Sequence, residues 1–203
     1  MPRVAYSEEE REKIRETLIV TGLQMMARQG IRHTTVEQIY KKVGISRTFF
    51  YSFFPGKEEL IVEALYFQQP RILDYVRKLM EDPSLSWREA VLEFLRACCY
   101  GEKSGIAVMT LEEQKMLFGR LSEESRRQFR ERQVRLFGKI LETFGIEPDP
   151  ERIGLFTNLC LTIIIIRRAV PESLPFLIPE AAEPALAFQM DAITDWMEKM
   201  RKN

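Results

Sequence analysis

Apolar residues recur every three or four positions along the first segment of the chain, between Glu8 and Arg28. Six residues follow this spacing: Ile14, Leu18, Ile19, Leu23, Met25 and Met26. This period is typical of a helix that buries one face. An acidic first turn precedes the apolar residues and Gly30 follows them, so the pattern predicts a helix with both ends marked.

The helical period continues along the chain, and no segment alternates apolar and polar residues between hairpin turns. Further helices are predicted over residues 36–43 and 47–53, from 57 onward, and over 86–100, 105–119, 122–144, 149–169 and 180–202. Pro70 should kink or end the fourth predicted helix, which starts at residue 57, because proline lacks a backbone N–H. We therefore expect an all-α fold of about nine helices.

Two short predicted helices near the amino end are joined by a glycine turn. Thr35 and Gln38 have the spacing of a capping box, in which each side chain bonds a free backbone N–H of the other residue. Gly44 can supply the positive φ of a tight turn, and Ser46 is placed to cap the next helix. Two short helices around a tight turn, between two longer helices, are the outline of a helix-turn-helix DNA-binding motif.

The charge of the chain is zero overall but uneven. The 203 residues include 30 basic and 30 acidic side chains. Between Met25 and Lys57 there are six basic residues and one acid, Glu37, which gives plus five there and minus five elsewhere. A local basic patch on a neutral protein is what contact with DNA phosphates requires.

Residues suited to catalysis or metal binding form no recognisable pattern. His33 is the only histidine, and we find no Ser/His/Asp set, Cys/His pair, metal-ligand spacing or glycine-rich phosphate loop. The cysteines are three in number and lack a CxxC spacing, which predicts reduced thiols: Cys98, Cys99 and Cys160. We therefore expect no enzyme, no metal site and no cofactor. No signal peptide or membrane span is readable, so we expect a cytoplasmic protein.

An ordered set of residues over positions 10–65 resembles the DNA-binding domain of the TetR family of bacterial transcriptional regulators. The resemblance rests on Thr34, Thr35, Val36, Ile39, Val43, Gly44, Ile45, Ser46, Tyr51, Phe54, Lys57, Glu58, Glu59 and Leu60. Beyond residue 65, only the length of the chain and its helical character agree with this family. The resemblance implies a helix-turn-helix domain over residues 1–56 and an all-helical ligand-binding and dimerisation domain over residues 57–203.

The resemblance also implies how the first domain would bind a double-stranded DNA operator. Thr35, Tyr51 and Lys57 would contact phosphates, which orient a protein on DNA without specifying sequence. Ser46, the cap of the second short helix, could touch the DNA as well. Base contacts would fall to the start of that helix, with these candidates: Arg47, Thr48 and Phe49, and Ser52 at the rim.

The chain departs from the family pattern at a few positions. Members often have Gly-Thr-Leu where this chain has Thr-Phe-Phe over residues 48–50, so Phe49 is either a base-contacting residue or a core residue. Tyr40 and Gly22 stand where alanine is usual. Glycine inside a helix costs about 1 kcal/mol relative to alanine, so Gly22 suggests local repacking.

A twofold-symmetric operator needs two helix-turn-helix motifs about one DNA turn apart, roughly 34 to 36 Å, so we expect a homodimer. In the family the last two helices pair with their mates in a four-helix bundle. The resemblance therefore implies an interface that includes Phe156, Leu159, Ile163, Ile193, Trp196 and Met197.

The family usually places a pocket for a small-molecule effector between the DNA-binding domain and the dimer helices. Candidate lining residues are Tyr66, Phe94, Cys98, Met109, Met116, Phe118 and Phe156, each of which could instead fill a core. Glu112 or Glu113 could partner a cationic ligand. The resemblance implies a repressor that leaves its operator when a largely apolar ligand binds. The alternative is a DNA-binding dimer without a ligand, whose second domain serves only dimerisation or a protein partner.

Overall fold

The computed structural model describes residues 6–100, Ala107, Met109, 111–169 and 178–201. The helices within those ranges are α1 (Glu8–Gln29), α2 (Val36–Val43), α3 (Arg47–Phe50), α4 (Lys57–Phe67), α5 (Gln69–Glu81), α6 (Trp87–Cys99), α7 (Leu111–Arg120), α8 (Glu123–Thr143), α9 (Pro150–Ala169) and α10 (Ala182–Arg201). A single 3-10 turn, Pro179–Ala181, precedes α10, and these ranges contain no strand. The predicted all-α fold is confirmed. Within the same ranges, no helix has the length and apolar character that crossing a membrane requires.

The helices begin where the sequence supplies capping side chains. At the start of α6, the Ser86 hydroxyl accepts the Glu89 N–H at 3.3 Å, and the Glu89 carboxylate accepts the Ser86 N–H at 2.7 Å. Ser7 and Glu10 form a second box of this kind at the start of α1. Each box satisfies two backbone N–H groups that a helix start otherwise leaves free. The helix predicted over residues 86–100 therefore begins with Ser86 as its cap.

Helix α4 ends and α5 begins at Gln68. Pro70 lies in the first turn of α5, where its missing N–H costs no helical hydrogen bond. Pro70 was predicted to kink or end the fourth helix; α4 stops at Phe67, and the residues from Gln69 onward form an additional helix, α5. The predicted start of the later helix at Gly105 lies outside the described residues.

The buried apolar side chains form two clusters. The first joins α1 to α4 with α7 and the start of α8, and includes Leu18, Ile39, Phe50, Leu60, Leu117 and Phe129. The second joins α5, α6, α9 and α10 with the rest of α8, and includes Val76, Leu95, Leu141, Phe156, Cys160 and Met197. Helix α8 therefore contributes to both clusters, and α4 packs with the first. The predicted division of the chain after residue 56 remains a prediction.

Gly22 marks a close approach of α1 to α4. A Cβ atom at this position would lie 3.3 Å from Leu60 Cδ2 and 3.6 Å from Ile39 Cδ1. Both neighbours are buried, so they have little room to move. The glycine that is unfavourable for the helix by itself thus allows α1 to pack closely on α2 and α4.

Candidate nucleic-acid interface

Short-range hydrogen bonds fix the geometry of α2, the turn and α3. The Thr35 hydroxyl accepts the Gln38 N–H at 3.2 Å, and the Gln38 side-chain oxygen accepts the Thr35 N–H at 2.8 Å. Gly44 is left-handed, with φ 80° and ψ 27°, a conformation that glycine adopts without strain. The Ser46 hydroxyl then accepts the Phe49 N–H at 3.1 Å. The predicted capping box, glycine turn and serine cap are all present.

The outer side of this motif is open to solvent. Six of the eight predicted DNA-contact residues are exposed: Thr35, Ser46, Arg47, Thr48, Tyr51 and Ser52. The Arg47 guanidinium carbon lies 5.8 Å from the centroid of the Tyr51 ring, which is 43% exposed. Phe50 is fully buried in the first cluster. A buried side chain on α3 therefore anchors the exposed ones that precede and follow it.

Lys57 is the seventh predicted contact, and its ammonium is already engaged. It donates to the backbone carbonyl of Ile31 at 2.6 Å, which ties the start of α4 to the turn between α1 and α2. Burial lowers the pKa of Lys57, while the nearby carboxylates of Glu113 and Glu58 act in the opposite direction. Lys57 thus has a structural role in addition to any contact with DNA.

Phe49, the eighth predicted contact, is half-buried under residues from the start of the chain. The Tyr6 ring stacks on it with centroids 4.8 Å apart and an interplanar angle of 19°. The guanidinium carbon of Arg11 lies 5.6 Å from the same centroid. Neither Tyr6 nor Arg11 had a predicted role, because helical periodicity does not indicate contacts with a distant helix.

The charged residues around the motif differ in whether they are paired. Lys41 forms an ion pair with Glu37 at 2.6 Å, and this hydrogen bond lowers the pKa of the Glu37 carboxyl. Arg28, Lys42 and Arg47 are exposed and form no ion pair with any described residue. Their three positive charges remain available to an external anion such as a phosphate.

Helix α7 contacts this region from far along the chain. The carboxylate of Glu113, which is 6% exposed, accepts the backbone N–H of Arg32 at 2.8 Å. Arg120, at the other end of α7, donates to the carboxylate of Glu58 on α4 at 2.5 Å. The Glu113 carboxylate, considered above for a cationic ligand, is therefore bonded to the turn that precedes α2. No sequence pattern indicated these contacts, which join residues more than 60 positions apart.

A family model described as the bacterial regulatory proteins of the tetR family matches residues 18–64. The matched range runs from α1 through α2, the glycine turn and α3 into α4. This segment of the chain belongs to the TetR family. This family consists of transcriptional regulators, and the resemblance inferred from the sequence is confirmed. No curated protein matches the chain in sequence.

Solved structures of TetR-family regulators share the fold at low sequence identity. A regulator from Pectobacterium atrosepticum is 17% identical, with 96% of this chain and 97% of its own covered and a TM-score of 0.56. The reduced form of NemR from Escherichia coli is 16% identical over 93% and 96% of the two chains, with a TM-score of 0.55. A regulator from Cytophaga hutchinsonii is 12% identical over 97% and 98%, with a TM-score of 0.52. The chain therefore has the fold of a TetR-family transcriptional regulator over nearly its whole length.

The seven predicted ligand-lining residues do not lie in one place. Tyr66, Met109 and Phe118 are half-buried against the first cluster. Phe94, Cys98 and Phe156 lie in or against the second cluster, and Met116 is 36% exposed. The periodicity of single helices could not show this separation, because one helix can place apolar residues in both clusters, as α8 does.

Around Tyr66 the side chains form a small aromatic group. Phe129 lies between Tyr66 and Phe118, with ring centroids 5.9 Å and 5.2 Å away. The Arg132 guanidinium carbon lies 4.0 Å from the Tyr66 centroid, a cation–π distance. Burial raises the pKa of the Tyr66 hydroxyl, so it is neutral at physiological pH.

The predicted dimer residues are largely buried within a single chain. Four of them are at most 4% exposed: Phe156, Ile163, Ile193 and Met197. Leu159 and Trp196 are half-buried against the same second cluster. Among the described residues of α9 and α10, the exposed large apolar side chains are instead Leu155, at 44%, and Phe188, at 74%.

The three cysteines are free thiols. Burial raises the pKa of Cys99 to about 11 and raises that of Cys160 well above its ordinary value. Both thiols are therefore protonated, and poorly nucleophilic, at neutral pH. Within the described part of the chain, no group of three or more His, Cys, Asp or Glu side chains could hold a metal ion.

Proposed function

We propose that the chain is a homodimeric repressor that binds double-stranded DNA through α2, the glycine turn and α3. The observation that carries the DNA-binding part is the exposure of Arg47, Thr48 and Tyr51 on a one-turn helix whose Phe50 is fully buried. A DNA-binding helix needs such an anchor, because base contacts require polar side chains held in fixed positions. The protein would act in the cytoplasm and catalyse no reaction.

The exposed residues divide by chemistry into phosphate and base contacts. Thr35, Ser46 and Tyr51 have hydroxyl groups suited to phosphate oxygens, whereas the Ser52 hydroxyl donates to the Phe49 carbonyl at 2.7 Å. The remaining two are the proposed base contacts, in which the guanidinium of Arg47 pairs with a guanine and Thr48 packs on a thymine methyl. Lys57 can add a phosphate contact only with the N–H bonds that Ile31 does not use.

DNA binding is tested by selecting duplexes from a random-sequence library with the purified full-length chain. With the best duplex, Arg47→Ala should weaken binding about tenfold or more and relax the preference at one base position. Tyr51→Phe removes the hydroxyl and should weaken binding to all sequences alike. Arg77→Ala is the matched control, because Arg77 is an exposed arginine on α5. Failure to enrich any duplex, or unchanged binding by the Arg47→Ala and Tyr51→Phe double variant, would overturn this proposal.

We propose that α9 and α10 form the dimer interface through their exposed sides. Leu155 and Phe188 are large apolar side chains that solvent would otherwise cover, and twofold pairing of these helices would bury them. Phe188→Asp should therefore shift the chain toward the monomer in sedimentation equilibrium. Val134→Asp is the control, because Val134 is also an exposed apolar side chain, at 46%, but lies on α8. An unchanged dimer in Phe188→Asp would place the interface elsewhere.

We propose that an apolar effector releases the DNA by binding near Tyr66. This site is favoured because Tyr66, Phe118 and Met109 pack on the same apolar cluster as the helix-turn-helix, so a ligand there could shift α7 and the turn it contacts. Native mass spectrometry of the purified dimer would identify a bound molecule, which is then tested for release of the selected duplex. Tyr66→Ala should abolish that release and leave ligand-free DNA binding intact. Phe67→Ala, at an exposed neighbour, should leave both the release and the DNA binding intact.

A dimer without a ligand is the second candidate, and one observation favours it. Phe94 and Phe156 are 1% and 0% exposed and pack on each other, as residues of a filled core do. If the purified dimer contains no small molecule, and no compound in a broad apolar panel changes its thermal stability or its DNA affinity, this candidate replaces the effector proposal.

A further inference from the structure

The start of the chain contacts the DNA-proximal helix α3 through one aromatic side chain. Tyr6 stacks on Phe49 at 4.8 Å, and the Arg11 guanidinium carbon lies 5.6 Å from the Phe49 centroid and 4.8 Å from that of Phe53. The rings of Phe49 and Phe53 meet edge to face at 5.0 Å. Arg11 forms no ion pair with any described residue, so its charge is directed at the two rings.

Helix α3 needs such contacts to hold its orientation. It has four helical residues, about one turn, and a helix of that length is not stable by itself. Phe50 anchors it from the core side, where the ring is fully buried. Phe49 is the preceding residue, about 100° around the helix axis, and supplies a second anchor at a different angle. Two anchors at different angles fix the rotation of α3 about its axis, and with it the directions of Arg47 and Thr48.

We propose that Tyr6 and Arg11 are positioning residues for DNA recognition, which act by holding Phe49 and thereby setting the direction of the Arg47 and Thr48 side chains. Phe49 is then a structural residue of α3, because the ring face that Tyr6 covers is closed to a thymine methyl. Base contacts are left to Arg47 and Thr48. This inference rests on the proposed function of DNA binding.

The test compares sequence-specific with non-specific affinity. The full-length chain, the duplex that it selects from a random library, and a duplex of unrelated sequence are used. Arg11→Ala and Tyr6→Ala should each weaken binding to the selected duplex about 3- to 10-fold, in keeping with the loss of a cation–π or aromatic contact. Binding to the unrelated duplex should change little. Arg11→Lys and Tyr6→Phe keep a cation and a ring, and should recover most of the specific affinity.

Salt dependence separates positioning from a direct phosphate contact. If Arg11 acts through Phe49, the slope of log affinity against log salt should be the same in Arg11→Ala and the wild-type chain. If Arg11 itself contacts a phosphate, the slope should fall in magnitude by about 0.9, and the proposal is overturned for Arg11. A wild-type chain that selects a duplex, with Arg11→Ala and Tyr6→Ala binding it equally well, overturns this inference alone. A wild-type chain that selects none overturns the proposed function together with it.

Discussion

The carboxylate of Glu113 and the backbone N–H of Arg32 are joined by a 2.8 Å hydrogen bond across 81 positions of sequence. Arg32 lies in the turn that leads into α2, and Glu113 lies in the first turn of α7. The neighbouring carbonyl, that of Ile31, accepts a hydrogen bond from the Lys57 ammonium. The backbone of this turn is therefore held by one side chain from α7 and one from α4, so a shift of α7 would act directly on the turn before the helix-turn-helix.

Replacing Glu113 with alanine should destabilise the chain. The change removes a buried, charged acceptor and leaves the Arg32 N–H without it, at an expected cost of about 1 to 3 kcal/mol in the free energy of unfolding. Urea denaturation followed by circular dichroism measures this loss. Glu112→Ala is the matched control, because its carboxylate is 78% exposed and lies 3.7 Å from the Arg32 guanidinium. Its expected loss is below about 1 kcal/mol, and equal losses in the two variants would contradict the assignment.

Gln68 forms a two-point contact with the backbone of Ala107. Its side-chain nitrogen donates to the Ala107 carbonyl at 3.0 Å, and its side-chain oxygen accepts the Ala107 N–H at 2.9 Å. Gln68→Leu keeps an apolar stem but leaves both buried backbone groups unpaired. It should therefore lower the free energy of unfolding by about 2 kcal/mol or more. The same change at Gln69, a half-buried neighbour, should have a smaller effect.

Hydrogen exchange gives a local measure of the Gln68 contact. In Gln68→Leu the Ala107 amide should exchange faster than in the wild-type chain, because its acceptor has been removed. Amides of α10, which packs in the second cluster, should keep their relative protection. An Ala107 amide that stays equally protected in this variant would contradict the role of Gln68.

Gly22→Ala should destabilise the chain, although alanine is the better helix former. The gain in helix propensity is at most about 1 kcal/mol, whereas forcing a methyl group into a close-packed core costs typically about 1 to 3 kcal/mol. The new Cβ would lie 3.3 Å from Leu60 Cδ2. Gly119→Ala on α7 is the control, because nothing lies within 4 Å of its added Cβ, and it should be neutral or stabilising. A stabilised Gly22→Ala variant, measured by thermal unfolding, would mean that Leu60 moves aside readily.

The features that the sequence predicted are those whose cause is local. The capping box of Thr35 and Gln38 and the turn at Gly44 depend on residues a few positions apart, so spacing alone indicates them. The contacts of Glu113 with Arg32 and of Tyr6 with Phe49 join distant segments, and the helical periodicity does not predict them. The contact partners that fix the DNA-binding surface therefore became visible only in the folded chain.

The predicted dimer residues illustrate a second limit. Helix α9 has apolar residues on several sides, and the 3.6-residue period cannot tell a side that faces the same chain from one that faces a partner. Ile163 proved to be buried in the second cluster, whereas Leu155 on the same helix is exposed. Distinguishing the two requires the positions of α6, α8 and α10 around α9.

The buried thiols should make the stability of the chain fall in alkaline solution. Burial raises the pKa of Cys99 to about 11, so between its ordinary value of 9.0 and that value the folded chain keeps a proton that the unfolded chain has lost. Stability therefore decreases as the pH rises through this window, by up to about 1.4 kcal/mol per pH unit for each such thiol. Urea denaturation between pH 8 and pH 10 should show this decline, and Cys99→Ala should make it shallower while leaving the pH dependence below pH 8 unchanged. A decline of the same steepness in Cys99→Ala would assign the effect to other groups, such as the buried Cys160 thiol.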